Sequence, residues 1–518
     1  MLGTRVRQAM TRPQFDPDLS APYWPHQLEQ DPQIRVLDSA ARFWATGTGK
    51  SRSDIEDTAW LYSQGLINAA MIIAPSEVHR RTWVNKELPR WLRMPDAKYI
   101  DYKAKSSCAP WEYNELEALV EHPGLKIIVM YYEALSSKSG YDFAARFLRS
   151  VGLSKITLDE SHRIMSPSSL VSIRARKLRG ESAVRRIMTA TPTAQGLEDL
   201  YTQYAFLDPA ILDVATNAEF QGMYIHKVKV KGTNFFTTVG YRNVKYLNKR
   251  IASVTFIAKD PPGMPKQSWN EVPTTLSDEQ WKAYREMKRD YQTQLRTGDW
   301  VDGELSIVRL KRLQQIVAGH LPVPDPNNER KNRQIISLDC PRVRDTLDVV
   351  RGCPHKVILW AQEHYEIERL FTELKLAGVG AAMYYGRIKK GVARDRNIEQ
   401  FEEDPTCKVL VANDAIGGTG LTIVGRVKGE PVKNQVFYSH TWSRILRIQC
   451  EGRNKRVENE ADSIIYTDMI AYGTTDIRIR NRRNQKDDIA QLVANPSEIA
   501  KLLDEDLDYV IDGTVLNV

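Results

Sequence analysis

The sequence predicts an α/β protein of two lobes, each a parallel β-sheet wrapped by crossover helices. Short apolar runs recur between polar helical stretches over the first two hundred residues or so, and the same rhythm returns in the second half of the chain. The length, 518 residues, also exceeds what one hydrophobic core usually organises.

In the first lobe the runs are Ala69–Ala74, Lys126–Met130, Ile156–Leu158 and Arg186–Thr189. Short apolar runs of this kind, separated by helical stretches, mark parallel strands buried on both faces. Lys356–Trp360, Ala381–Tyr385, Lys408–Val411, Gln435–Tyr438 and Ser463–Tyr466 are the corresponding strands of the second lobe. No short tandem repeat is present, so the duplication is architectural. Between the lobes, Leu276–Ala318 is rich in Glu, Lys, Arg, Gln and Leu and predicts helices, and Pro322–Arg333 reads as a polar, proline-rich loop or linker. His226–Lys231 alternates charge with valine, Gly232-Thr-Asn234 supplies a turn and Phe235–Val239 returns, which predicts a β-hairpin with a lysine face. After Asn481 the tail reads as helical, basic at Arg482, Arg483 and Lys486 and acidic around Asp504–Asp508. The expected segments are 1–212 (first lobe), 213–335 (hairpin and helical insertion), 336–480 (second lobe) and 481–518 (helical tail).

Hydrophobic residues make up 42% and charged residues 27%, the balance of an ordinary globular protein and not of a disordered one. With 73 basic against 65 acidic side chains the net charge is +8, which suits a polyanionic partner without requiring one. The five cysteines form no CxxC pair, so neither a zinc knuckle nor a disulfide framework is indicated. No apolar run is long enough for a bilayer and the start, MLGTRVRQAM, lacks a signal-peptide core, so a soluble cytoplasmic protein is expected.

Ala45-Thr-Gly-Thr-Gly-Lys-Ser51 precedes a segment that can begin a helix. Such a turn aims the backbone N–H groups of Thr46, Gly47, Thr48 and Gly49 at phosphate oxygens, and the glycines let the main chain approach closely. Lys50 would neutralise the β- and γ-phosphates and the Ser51 hydroxyl would coordinate Mg²⁺. The full G-x-x-x-x-G-K-[ST] pattern asks for Gly where this chain has Trp44. The alternative is a glycine-rich turn with an incidental lysine. Asp159-Glu-Ser-His162 closes the run Ile156–Leu158, so two adjacent carboxylates stand at a strand's C-terminal end, where open α/β sheets bind ligands. Asp159 would hold Mg²⁺ through its hydration shell, and Glu160 would orient and deprotonate the water that attacks the γ-phosphate. Alone, such a tetrapeptide is a solvated loop as often as a site; its position after the lysine loop favours the site.

Together these motifs resemble superfamily two helicases, specifically the Swi/Snf-like translocase branch, over roughly residues 20 to 480. Pro25-His-Gln27 resembles the adenine-reading glutamine motif, Ile72-Ile-Ala-Pro75 motif Ia, Lys126–Ser136 with Tyr131 and Tyr132 motif Ib, and Arg185–Thr193 motif III. Phe206-Leu-Asp-Pro209 is similar to a stretch characteristic of the branch. In the second half Lys356–Trp360 resembles motif IV, Tyr385-Gly-Arg387 the segment after it, Gly417–Thr422 motif V, and Gln449–Arg456 the motif VI pattern Q-x-x-G-R-x-x-R. Trp44, Thr422 in place of a frequent Asn, and the residues after Arg456 depart from the pattern. With no bromodomain-like or SANT-like appendage visible, a minimal motor of the phage or bacterial type is expected, in the host cytoplasm if phage-encoded.

The resemblance implies two RecA-like (P-loop NTPase) lobes that use ATP and Mg²⁺, with nucleic acid, most directly DNA, as partner and no membrane. Gln27, Gly420 and Gln449 would join the loop in binding ATP. Arg453 and Arg456, three apart and able to face the same way on a helix, would be arginine fingers. Pro75, Ser76, Tyr131, Thr191, Gly418 and Thr419 would contact nucleic acid, mainly through its backbone, so that binding is weakly sequence-specific and strongly salt-dependent. Lys227, Lys229 and Lys231 form either a phosphate-contacting or strand-splitting element or a solvated strand face. Competing readings are a translocating subunit of a restriction or defence complex, an RNA helicase, and an ATP-gated clamp that does not cycle.

Overall fold

The strands follow from the alternation of side chains about each apolar run. In the computed structural model of the chain, residues 12–102, 110–324 and 333–483 are described, apart from short gaps at 18, 20, 194–195, 230–235, 259, 261, 297–302, 389–391, 418–422, 426, 428, 458 and 482, together with 509–510. The chain divides into two compact units, the first running to Pro262 and the second spanning Gly263–Asn484.

Strands of the first unit are β1 (Ser39–Trp44), β2 (Ala69–Ala74), β3 (Lys98–Asp101), β4 (Lys126–Tyr131), β5 (Ser154–Asp159), β6 (Val184–Met188), β7 (Ile225–Lys229), β8 (Phe236–Tyr241) and β9 (Thr255–Ala258). Seven of them form a parallel sheet in the order β3-β4-β2-β5-β6-β1-β9, while β7 and β8 pair antiparallel as the expected hairpin. Both faces are covered, as the unbroken apolar runs require. Ala69, Met71 and Ile73 enter one buried cluster with Ile128, Ile156 and Leu158, and Ala70, Ile72 and Ala74 enter another with Ile127, Val129 and Met188.

The second unit holds β10 (Lys266–Thr274), β11 (His320–Pro324), β12 (Arg333–Ser337), β13 (Lys356–Ala361), β14 (Ala381–Tyr384), β15 (Val409–Asn413), β16 (Val432–Phe437) and β17 (Ser463–Ala471). Its parallel sheet has the order β10-β17-β16-β13-β15-β14, with the same two-faced alternation: Val357 and Leu359 enter one cluster, Ile358 and Trp360 the other. Each unit is therefore an α/β lobe with a parallel sheet, as expected of RecA-like lobes. The helices expected within Leu276–Ala318 are Asp278–Arg296 and Gly303–Val317.

Four sheet strands were not legible as apolar runs. Strand β1 reads Ser-Ala-Ala-Arg-Phe-Trp, with a charge in its middle, yet all six residues are buried. Strands β3 and β9 are four-residue edges, and β10 is a largely exposed edge strand with no apolar alternation. The loop expected at Pro322–Arg333 needs correction: Pro322–Pro324 belong to β11, which pairs antiparallel with β12. A two-stranded ribbon tolerates proline wherever the N–H would face away from its partner. Residues 325–332 of that stretch, and the expected tail from 484 on except 509–510, lie outside the described residues; Tyr509–Val510 are strand and not the expected helix, pairing antiparallel with Tyr241 and Gly240 of β8. The segment expected as one insertion, 213–335, is shared between the units, the hairpin falling in the first and the helices in the second. No described helix is long and apolar enough to cross a membrane.

Candidate active site

Because β1, β2, β4, β5 and β6 are parallel, their C-terminal ends share one edge of the first sheet. That edge collects the loop 45–49, Pro75 and Ser76, Tyr131, Asp159 with Glu160, and Thr189 with Thr191.

The loop leads from β1 into helix α2 (Lys50–Ser63), for which Gly49 is the N-cap at φ 76°. Gly47 has the same left-handed φ, which side chains disfavour. At Gly49 a Cβ would also come within 2.7 Å of Gln27 Nε2, so a side chain there would have to displace the Gln27 amide. Thr48 is buried and its hydroxyl donates to the Ala45 carbonyl at 2.7 Å. Lys50 Nζ donates to the carbonyls of Trp44 (3.0 Å) and Ala45 (2.9 Å), so the ammonium rests on oxygens of its own loop. Ser51 stands half-buried in the first turn of α2, at the positive end of the helix dipole.

Trp44 departs from the glycine pattern because it is still strand. It ends β1 fully buried among Ile34, Ala40 and Ala258, meets His26 edge-on and donates from Nε1 to Gln30 Oε1 at 2.8 Å. Gln27, on helix α1 (Pro25–Arg35), is buried against the loop. Its Oε1 accepts from the Trp24 N–H and its Nε2 donates to Ser53 Oγ, so both ends of the amide are engaged within the protein. His26 Nε2 donates to the Thr48 carbonyl at 3.0 Å.

Asp159 is the last residue of β5, and its Oδ2 accepts from Trp83 Nε1 at 2.9 Å. Glu160 follows in the left-handed region (φ 52°, ψ 57°), a conformation that costs a non-glycine residue about 1–2 kcal/mol. This turn brings its Oε2 to the Thr189 hydroxyl, which donates at 2.9 Å, and to within 3.3 Å of His162 Nδ1. His162 Nδ1 also lies 3.0 Å from Thr189 Oγ1 and 3.2 Å from Thr191 Oγ1, while the Thr191 N–H donates to Thr189 Oγ1. Burial and the Glu160 charge push the Asp159 carboxyl up to about 7. Burial opposes charge at Glu160 as well, but the His162 hydrogen bond, the Lys50 charge and Thr189 draw it down to about 2. The Lys50 charge draws both carboxyls downward, so the ammonium at the end of the loop acts electrostatically on the acid pair. The Ser51 hydroxyl and the Asp159 carboxylate are hard oxygen donors of the kind Mg²⁺ takes, and they fit that ion.

In the second unit, Ser443 caps the helix Arg444–Glu451 by accepting from the Leu446 N–H. Arg453 and Arg456 are not on that helix, contrary to the expectation from their spacing. Gly452 ends it, and buried Asn454 draws the chain aside by donating to the Val432 carbonyl and accepting from Gln435 Nε2. Arg453 is 6% exposed and its Nε donates to the Gln449 carbonyl at 2.6 Å. The Ile423 N–H donates to the Arg453 carbonyl at 3.0 Å, so Ile423 is tied to the arginine turn. Gly418, Thr419 and Gly420 lie outside the described residues, as does Lys231.

Among the residues expected to meet nucleic acid, Pro75 and Ser76 follow β2 and Tyr131 ends β4 under the Arg80 guanidinium, 5.6 Å from its ring centroid. Thr191 is 3% exposed and turned toward His162, so it joins the acid cluster and not a surface. Lys227 and Lys229 are exposed on β7, two residues apart and hence on one face. Trp83, which holds Asp159, and Tyr132, whose hydroxyl donates to the Asp159 carbonyl at 3.0 Å, were not singled out as site residues from the sequence. Trp83 lies far from Asp159 in the chain and carries no local signal.

The SNF2-related domain family matches residues 19–318, more than half the chain. The "TATA-binding protein-associated factor mot1" of Aspergillus fumigatus is 20% identical over 447 residues, covering 78% of this chain and 22% of that protein. "Protein CHROMATIN REMODELING 8" of Arabidopsis thaliana is 22% identical over 66% of the chain and 28% of its own length, and "Chromatin-remodeling ATPase INO80" of Pyricularia oryzae 23% over 35% and 10%. The chain thus spans less than a third of the length of these relatives. The Sulfolobus solfataricus SWI2/SNF2 ATPase core in complex with dsDNA aligns over 96% of this chain and 98% of its own, with 18% identity and a TM-score of 0.39. By the family match over residues 19–318, the chain belongs to the SNF2-related domain family.

Proposed function

We propose that the chain hydrolyses ATP and couples hydrolysis to movement on DNA, duplex or branched. The observation that carries this reading is the single sheet edge at which the Lys50 loop, the Asp159–Glu160 pair and the Thr189–Thr191 segment meet. Backbone N–H groups of the loop bind the phosphates, with Lys50 exchanging its loop carbonyls for phosphate oxygens. Ser51 and Asp159 would hold Mg²⁺, which when bound would supply charge neutralisation of the phosphates. Glu160, kept ionised by His162, Thr189 and Lys50, accepts the proton of the attacking water. Arg453 and Arg456 are proposed as the γ-phosphate arginines, and Pro75, Ser76, Tyr131 and the Lys227–Lys229 face as backbone contacts to DNA.

The test is ATP turnover by the wild type and Lys50→Ala, without nucleic acid and with single-stranded, duplex and branched DNA and RNA. Stimulation by duplex or branched DNA that disappears in the variant is expected. Turnover that RNA alone stimulates, or that survives Lys50→Ala, would sink the reading.

A further inference from the structure

Beneath the loop lies a group of buried charges that the chemistry above does not use. Asp54 and Asp57 stand on α2, four and seven residues after Lys50. Lys155 Nζ lies 2.8 Å from Asp54 Oδ1 and 2.9 Å from Asp57 Oδ2, and also donates to the Asp54 carbonyl and the Thr58 hydroxyl. Arg186 Nε donates to Asp57 Oδ2 at 3.0 Å and its Nη2 to the Ile34 carbonyl at 3.0 Å. Arg42 Nη1 lies 3.4 Å from Asp54 Oδ1, and its Nη2 3.7 Å from Asp57 Oδ2 and 3.6 Å from Asp31 Oδ1. Asp31 Oδ2 in turn accepts from Ser53 Oγ, the acceptor of Gln27 Nε2. All six charged side chains are at most 4% exposed, three of each sign.

Such a group is not an economical way to hold a fold together. Taking charges out of water costs several kcal/mol per ion, and apolar residues of the same volume often stabilise as well or better. Here the pairing is also incomplete, since Arg42 Nε, Asp54 Oδ2 and Asp57 Oδ1 are buried with no hydrogen-bond partner among the described residues. Burial opposes charge at Asp57, yet the surrounding cations hold its carboxyl well below the usual range.

What the group does have is placement. Each cation sits on a strand that leads into one part of the site: Arg42 on β1 three residues before the loop begins, Lys155 on β5 four before Asp159, and Arg186 on β6 three before Thr189. All three converge on Asp57, on the helix that Lys50 begins. We propose that Asp57, with Arg42, Lys155 and Arg186, forms a positioning network that sets the register of Lys50 and Ser51 against Asp159–Glu160 and Thr189. Directional ion pairs fix that register where an apolar contact would let α2 slide over the sheet. The functional meaning of the network rests on the reading of the loop as a nucleotide site; its mechanical role does not.

The test is the paired variant Asp57→Asn/Lys155→Met, which removes one charge of each sign. Its melting temperature, ATP KM and kcat, and the hydrogen exchange of amides 45–51 and 159–162, are compared with wild type. Melting close to wild type is expected, with exchange at the two segments faster by about tenfold while the rest of the first unit keeps its protection. Turnover is expected to fall by about ten- to a hundredfold with KM little changed, because displaced groups lose transition-state geometry before they lose binding. Unchanged exchange and kcat, whatever the melting temperature, overturn the proposal, as does exchange that rises uniformly across the unit. If wild type shows no ATP turnover on any nucleic acid, the enzymatic reading falls and the exchange pattern alone decides on the network. Should the paired variant fail to fold, Lys155→Arg keeps the charge but alters its head group, and the same split is expected; no change there also overturns the proposal.

Discussion

Glu160 occupies a strained backbone conformation for a side chain that could have stayed extended along β5. The left-handed turn sets its carboxylate against Thr189 and His162, and those partners keep it ionised, while Asp159, whose Oδ2 accepts from Trp83, is the member of the pair pushed toward neutrality. Glu160→Gln keeps an acceptor for Thr189 but no base, so turnover should drop by about 10²-fold or more with ATP still bound. Turnover per bound ATP equal to wild type would remove Glu160 from the role of base. A second buried carboxyl, Glu366, accepts from Ser439 Oγ and the Gln362 N–H, but burial dominates and pushes it up to about 7. Its folded value lies above its ordinary 4.5, so its contribution to stability is present below about 4.5 and is lost as pH rises through about 7. Thermal melts of wild type and Glu366→Gln from pH 4.5 to 8.5 should therefore diverge, with the variant gaining on wild type as pH rises. A constant gap would mean that the carboxyl titrates in the ordinary range.

At the scale of elements, the hairpin β7–β8 and the arginine turn show how local pattern and packing share the outcome. Alternation of lysine and valine was enough to predict the hairpin, because period two is the only arrangement that puts Lys227 and Lys229 on one side. Lys227 Nζ donates to Gln221 while remaining exposed, and Phe236 is exposed on the paired strand. If this face tracks a phosphate backbone, Lys227→Glu/Lys229→Glu should weaken duplex binding and flatten the dependence of log affinity on log salt by about two units, about 0.9 per lost contact. An unaltered slope would leave the lysines as a solvated face. In the arginine turn, by contrast, spacing misled: three residues apart is one helical face only where a helix continues. Gly452 and the two hydrogen bonds of Asn454 stop it first.

For the whole molecule, spacing along the chain was sufficient for the two parallel sheets and for the order of the motifs. Runs such as Ala69–Ala74 and Lys356–Ala361 must be buried on both faces, and the loop and acid pair then fall at strand ends. It was insufficient for the strands at the sheet edges, since β10 needs no apolar pattern when one side meets solvent. The charges within β1, β5 and β6 were the larger omission. Arg42 stands in the middle of β1, Lys155 just before the run Ile156–Leu158 and Arg186 at the start of Arg186–Thr189, and in isolation each looks like a lapse in the pattern. Their partners on α2 lie 101 residues from Lys155 and 129 from Arg186 along the chain. Only packing of the helix on the sheet turns such charges into ion pairs, because Coulomb attraction at 3 Å is a property of distance in space, and sequence separation carries none of it.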